Sequence, residues 1–283
     1  MFPLRDGTSA TAWWVLLVSA LLGGGCHGPP PGPGANAPAE GVREYQAVRR
    51  TGEIVVDGAL DDRGWQNVEW SAPFVDIEGN LRPAPRLPTR VRMTWDDRFF
   101  YMGADLREPD LWATITRRDA VIFRDNDFEV FIDPDGDTRR YMELEINALG
   151  TVWDLFLPKP YREGGRAVNE WTITGLRAAV RLEGTLNDSR DRDRGWTVEL
   201  ALPWEALSDS GRIAVPPKHG DRWRVNFSRV QWDLEVVNGA YRKRTDPATG
   251  KPLPERNWVW SPQGEINMHI PERWGVVTFS EHR

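Results

Sequence analysis

The chain has 283 residues, and its 36 basic and 42 acidic side chains leave a net charge of −6, enough length for one large or two small domains. The charges are scattered and no basic stripe stands out, which sets aside nucleic acid as a partner. A single cysteine, Cys26, excludes a disulfide framework and a cysteine-rich metal site.

An apolar run from Ala12 to Leu22 follows Arg5. It is short for a bilayer span and suits the h-region of a signal peptide. Gly23-Gly24-Gly25-Cys26 comes next, and small residues before a lone cysteine resemble a bacterial lipobox, although Leu22 stands four places before the cysteine and that motif prefers three. The stretch 1–26 therefore reads as a lipoprotein-type signal peptide, with Cys26 as the lipidated N-terminus. An ordinary cleaved signal with an incidental cysteine is the alternative. The first reading implies an exported protein anchored to a membrane, periplasmic or at the cell surface. Residues 27–45, rich in Pro and Gly, read as an extended linker, and 46–283 as one folded domain.

Within that domain short strand signals alternate with turn residues. Glu53–Gly58 reads as a strand, with Asp61 or Asp62 capping a helical turn through Trp65. Phe74–Ile77 is a further apolar piece. Thr89–Trp95 and Phe99–Leu106 form a hairpin around Asp96-Asp97. Trp112–Phe123 is irregular. Asn126–Asp133 and Tyr141–Asn147 form a second hairpin around Pro134-Asp135-Gly136-Asp137, extended by Thr151–Leu157. Ala178–Leu182, Trp196–Leu202 and Arg222–Trp232 are strands, with 186–194 a polar loop and Pro203–Leu207 a helical turn. In the late strand Trp223, Val225 and Phe227 should face the core. Residues 238–257 read as a long polar loop and Trp274–Phe279 as a closing strand. No long stretch repeats every 3.6 residues. Many short strands joined by Gly, Pro and Asp turns predict an all-β antiparallel β-sandwich.

The acidic hairpin carries the functional question. Phe128, Val130 and Ile132 share one strand face; Asp127 and Glu129 share the other, and Glu143 and Glu145 fall beside them. Like charges in such register repel by up to about 1 kcal/mol per pair, so arginine, a cation or a hydroxyl-rich ligand should offset them. A solvated face with scattered arginines would also do so. A carboxylate pair also suggests a glycoside hydrolase, but residues i and i+2 on one strand lie side by side instead of flanking a substrate. Asp133, Asp135 and Asp137 partly match a calcium loop, but without its distal Glu and flanking helices a plain hairpin turn is the stronger reading. Asp125 and Asp154 are further oxygen donors. No His-rich metal motif, phosphate loop or nucleophile elbow is present. Of fifteen tryptophans, thirteen follow the leader, and Trp112, Trp153, Trp232, Trp258, Trp260 and the ring of Phe123 fall near polar segments, where flat faces can stack on sugars.

Val56-Asp57-Gly58 with Trp65, the hairpin Val91–Tyr101, Asp127-Phe128-Glu129-Val130-Phe131-Ile132-Asp133 and the tail Asn257–His269 with Pro271–Gly275 together resemble family 9 carbohydrate-binding modules and the family 9-like lipoproteins, over roughly residues 50–280. The resemblance implies a β-sandwich that binds an oligo- or polysaccharide between two tryptophans, with polar groups on the hydroxyls and structural calcium. It implies a non-catalytic role beside glycan-degrading enzymes. On this reading Trp112 and either Trp232 or Trp258 are the stacking pair, and Asp127, Glu129, Asn147 and Arg229 the polar contacts. Related sandwiches bind haem, for which Met268 or His269 would be the axial ligands.

Overall fold

The computed structural model describes residues 41–208 and 213–282. The signal-peptide stretch, Cys26 and most of the linker lie outside the described residues.

Two sheets form the fold. The smaller joins β3 (Thr89–Trp95), β4 (Phe99–Arg107), β9 (Gly195–Pro203) and β8 (Arg177–Glu183) in that order, all antiparallel. The larger runs β1 (Glu44–Val48), β14 (Gly275–Ser280), β10 (Arg222–Gln231), β5 (Asp127–Asp133), β6 (Tyr141–Asn147) and β7 (Val152–Leu157), with β13 (Arg256–Val259) and β2 (Val75–Asp76) branching from β10. Its one departure from the antiparallel expectation is the β1–β14 pair, which is parallel. β1 also begins at Glu44, inside the stretch read as linker.

The period of two fills the space between the sheets. Phe128, Val130, Ile132, Met142, Leu144, Ile146, Trp223, Val225 and Phe227 meet Met93, Phe100, Met102, Val198 and Leu200 in one buried cluster. The core facing of Trp223, Val225 and Phe227 follows the alternation.

Each sheet also has a covered outer face. On the smaller sheet Glu199 points outward yet is fully buried beneath residues 57–65. Its carboxylate accepts the backbone N–H of Asp57 (2.9 Å) and Gly58 (2.8 Å) and the Trp65 indole N–H (2.7 Å). Residues 53–58, expected as a strand, form none, because a side chain takes the N–H groups that a ladder would use. The turn Arg63–Trp65 forms as a 3-10 turn, but the Asp62 carboxylate accepts Val55 N–H instead of capping it. The 238–257 loop is likewise more ordered than expected: β11 (Leu234–Val237) and β12 (Ala240–Lys243) make a hairpin, and β13 starts at Arg256.

Arg229 is in the core. It shares the inward face of β10 with Phe227, is 1% exposed, and pairs with Glu108 at 2.9 Å while donating to Gln231 and Thr89. Two charges out of water hold only as a pair. Arg229→Met should therefore cost about 3–5 kcal/mol by stranding the Glu108 carboxylate, read as a lower urea midpoint. Adding Glu108→Gln should recover part of the loss, and an unchanged midpoint in the single variant would contradict the pairing.

Candidate functional site

The outer face of β5, β6, β7 and β10 carries the acidic residues of the hairpin. Antiparallel register sets Glu129 opposite Glu145, Asp127 opposite Asn147, and Glu143 opposite Phe131. β7 brings Trp153 beside Glu145 and Leu155 beside Glu143, and β10 adds Ser228 beside Glu129. This face is not in water. Phe131, Tyr141, Leu155, Leu157 and Val259 pack with Ile77, Met268 and Trp274, so the returning segment before β14 roofs one end of the sheet.

An open cleft of about 240 Å³ remains beside the roof. Glu129, Glu143 and Glu145 form its floor, Phe123, Trp153 and Tyr161 its aromatic walls, and Asn267, Met268 and His269 its roof side. A larger hollow of about 390 Å³ near Glu44, Trp70 and Ser71 has no buried unpartnered polar atom among its lining side chains. In the cleft two such atoms occur: Glu143 Oε2 and the Trp153 indole N–H. An acceptor and a donor left unmade among the residues of one cleft mark a place where a polar ligand recovers hydrogen bonds.

Phe123 is held at both ends of its peptide. Its N–H donates to Glu145 Oε2 at 2.9 Å and its carbonyl accepts from the Trp232 indole at 2.9 Å. Burial pushes the carboxyls of Asp127, Glu143 and Glu145 well above their ordinary range, with neighbouring carboxylates adding to it, and takes Glu129 up to about 7. His269 sits against them, its Nδ1 3.0 Å from Tyr141 Oη, its ring edge-on to Tyr161, and its Nε2 3.9 Å from Glu143.

The other residues read from the sequence as contacts lie elsewhere. Trp258 is 2% exposed within the inter-sheet core, because its register opposite Arg229 turns it inward. Asn147 is fully buried and its amide is engaged by Ile115 O, Asp125, and the N–H groups of Leu149 and Thr151. Asp125 anchors Thr114 and Ile115, and Asp154 anchors Ile173 and pairs with Arg118, so these two carboxylates hold loops. Lys243 Nζ stands 3.3 Å from the ring centre of Trp232 and 5.9 Å from that of Trp112. The two rings thus share one lysine. The residues that reading missed, Tyr161 and Asn267, come from loops far along the chain and carry no local signal; Phe123 and Trp153 were marked only as possible stacking rings.

Asp127, read from the sequence as a contact, is fully buried and does not line the cleft, its Oδ1 accepting the Val230 N–H. Two groups of oxygen donors could hold a cation: Asp127 with Glu129 and Glu145, and Asp133, Asp135 and Asp137 in the turn, each with ligand atoms within 4.8 Å of one another. In the turn Asp133 also accepts the N–H groups of Gly136 (3.1 Å) and Thr138 (2.9 Å).

A family model described as carbohydrate family 9 binding domain-like matches residues 56–220, more than half of the chain. No match was found among curated proteins. A Bacteroides uniformis protein to which carbohydrate binding is ascribed superposes with a TM-score of 0.60 at 15% identity, over 84% of this chain and 100% of that one. A family 9 carbohydrate-binding module from Caldicellulosiruptor kristjanssonii, solved with glucose, gives a TM-score of 0.52 at 15% identity over 85% and 97%. The same module with cellotriose gives 0.52 over 85% and 95%. These likenesses confirm the sandwich.

Burial lowers the His269 pKa to about 4 from 6.5. Between those pH values the unfolded chain binds a proton that the fold does not, so stability is full above 6.5 and falls as pH drops toward 4. His269→Gln should lose less stability over that window than the native chain, by up to about 3 kcal/mol. Parallel pH profiles of urea midpoint would contradict it.

Proposed function

The chain belongs to the carbohydrate family 9 binding domain-like family, and from that premise we propose that it is a non-catalytic saccharide-binding protein whose ligand enters the cleft over Glu129, Glu143 and Glu145. The observation that carries this reading is the pair of unpartnered groups, Glu143 Oε2 and Trp153 N–H, set between exposed aromatic walls. Carboxylates accept from sugar hydroxyls, the indole N–H donates to one, and the rings of Phe123, Trp153 and Tyr161 offer faces or edges to the C–H surface of a pyranose. A cleft of about 240 Å³ is below the ~300–1,000 Å³ of a drug-sized pocket, which favours one sugar ring or a chain end over a long internal segment. It is likewise too small to enclose a haem, although Met268 and His269 line it.

Floor geometry argues against hydrolysis. Glycosidases place an acid and a base or nucleophile about 5–10 Å apart across the scissile bond. Here Glu129 and Glu145 stand opposite each other on neighbouring strands with oxygens within 4.8 Å, both below the ligand. Lipidation at Cys26 would hold the domain at the cell envelope near glycan-degrading enzymes; the lipobox-like run and the Pro/Gly-rich linker support that part of the reading.

Calcium in the 133–137 turn is the second part of the reading. Three convergent carboxylates suit a hard oxygen-ligated ion, and the turn backbone is already pinned by Asp133. Calcium at 100 times its dissociation constant should raise stability by about 2.7 kcal/mol. Asp135→Asn should remove that gain from the thermal melt, and a melt indifferent to calcium and chelator would contradict the site.

Binding is tested by calorimetry with glucose and cello-oligosaccharides, then with other glycans. Phe123→Ala and Trp153→Ala should each weaken binding by about 1–3 kcal/mol, the scale of aromatic stacking on a flat ring. Trp112→Ala should leave affinity within about twofold, ~0.4 kcal/mol. Loss of binding in Trp112→Ala with retention in Trp153→Ala would move the site to the other edge.

A further inference from the structure

The lining of the cleft is one-sided in charge. Among the described residues it includes Glu129, Glu143, Glu145 and Glu255 but no lysine and no arginine. The one basic contact to any of these four carboxylates, again among the described residues, comes from His269, whose Nε2 stops 3.9 Å from Glu143. Burial lowers the pKa of that ring to about 4, so it brings no charge near neutral pH. Other basic groups on this side are engaged elsewhere. Arg162 pairs with Glu272, and Arg224 donates to the carbonyls of Glu272 and Trp274. Glu129 and Glu145 face each other in the β5–β6 register, where like charges repel.

A cluster of acids alone would not carry an inference, but two further observations point to the charge of the ligand. Glu143, only 5% exposed, lines the cleft with Oε2 unpartnered, and a carboxylate oxygen takes its strongest hydrogen bond from a charged donor. Phe123, Trp153 and Tyr161 border the same space, and aromatic faces attract an ammonium through their quadrupole. Carboxylates below and rings beside are the two surroundings that suit a compact organic cation. A hydroxyl group uses neither the charge nor the quadrupole. The unpartnered Trp153 N–H and the amides of Asn257 and Asn267 are left to meet hydroxyls, which favours a cation carried on a polyol over one on an alkyl chain.

Resting on the saccharide reading of this cleft, we propose that its preferred ligand is an amino sugar, a pyranose with a free amine in place of one hydroxyl. Its ammonium lies against Glu143, with Glu129 and Glu145 adding charge from the floor. An ammonium has three N–H donors and no acceptor, which matches a floor made of acceptors. Acetylation of that nitrogen removes the charge and leaves one N–H, so the acetylated sugar loses the match.

Calorimetric titration of the native protein with three trisaccharides of one backbone tests this: cellotriose, its glucosamine counterpart and its N-acetylglucosamine counterpart. Chelator is present so that no metal ion supplies the counter-charge, and the pH is held where the amine carries its proton. The glucosamine trimer should bind at least tenfold tighter than either neutral sugar, the scale of one hydrogen bond to a charged group. Glu143→Gln should bring the affinity ratio of glucosamine trimer to cellotriose within about twofold of unity, and Glu255→Gln, at a half-buried position, should lower the ratio in the same direction. Thermal melts establish that each variant is folded, and the ligand series on the native chain stands without them. Butylamine, a cation with no hydroxyls, should bind at least tenfold more weakly than the glucosamine trimer; equal affinity would mean that the cleft reads a bare cation and would overturn the assignment. Cellotriose binding as tightly as the glucosamine trimer, or a ratio unmoved in folded Glu143→Gln and Glu255→Gln, overturns the amine preference and leaves the saccharide reading standing. Silence toward all three sugars removes both.

Discussion

Strand alternation puts Asp127, Glu129, Glu143 and Glu145 on one face of the larger sheet, and the fold then covers that face. Most two-layer sandwiches leave outer faces to water, where four carboxylates would cost little. Here Met268, Trp274 and Ile77 pack down on Phe131, Tyr141 and Leu155, so the charges are enclosed with their apolar neighbours. The roof is needed because those aromatic and aliphatic side chains alternate with the acids on the same strands. Shielding them means shielding the acids too. The cleft is the gap where roof and walls stop short of closing over the floor.

The smaller sheet handles the same problem differently. Glu199 is also an outward acid under a cover, but three N–H groups saturate its carboxylate, and the cover becomes a rigid clasp. Arg229 and Glu108 are a third solution, a charge pair sealed between the sheets. Set beside these, three of the buried polar atoms left unpartnered among the described residues gather at or beneath the cleft, at Asp127, Glu143 and Trp153; the others are on Arg92, Ser228, Gln263 and Glu272. Native folds seldom leave such atoms without a reason, and a bound ligand is the reason that fits their position beside exposed rings.

Much of the fold was legible. β5, β6, β9 and β10 follow period-two patterns, and their turn residues mark the ends within a residue or two. The acidic face was legible for the same reason. The stacking residues were harder because alternation says which face a side chain takes but not what lies over it. Arg229 and Trp258 were misplaced by one step of that logic: as register partners on β10 and β13 they both turn inward, and the polar head of Arg229 is matched by Glu108, 121 positions away. Trp232 looked like a binding plate and instead holds the carbonyl of Phe123, which is one wall of the cleft. Such a role depends on contacts between loops distant in sequence, and no local pattern encodes them. The run 53–58 failed for a related reason, since its strand-like composition met a glutamate from β9 before it met a partner strand.

The central claim is that the ligand lies over the carboxylate floor between Phe123, Trp153 and Tyr161, and not between Trp112 and Trp232. The indole N–H signals of nitrogen-15-labelled protein test it most directly, because Trp153 carries an unpartnered N–H at the cleft while the indole of Trp232 is bonded to Phe123 O. On titration with cellotriose the account predicts a large, saturable shift of the Trp153 indole resonance, with those of Trp112 and Trp258 still. Saturable shifts at Trp112 with a motionless Trp153 would contradict it.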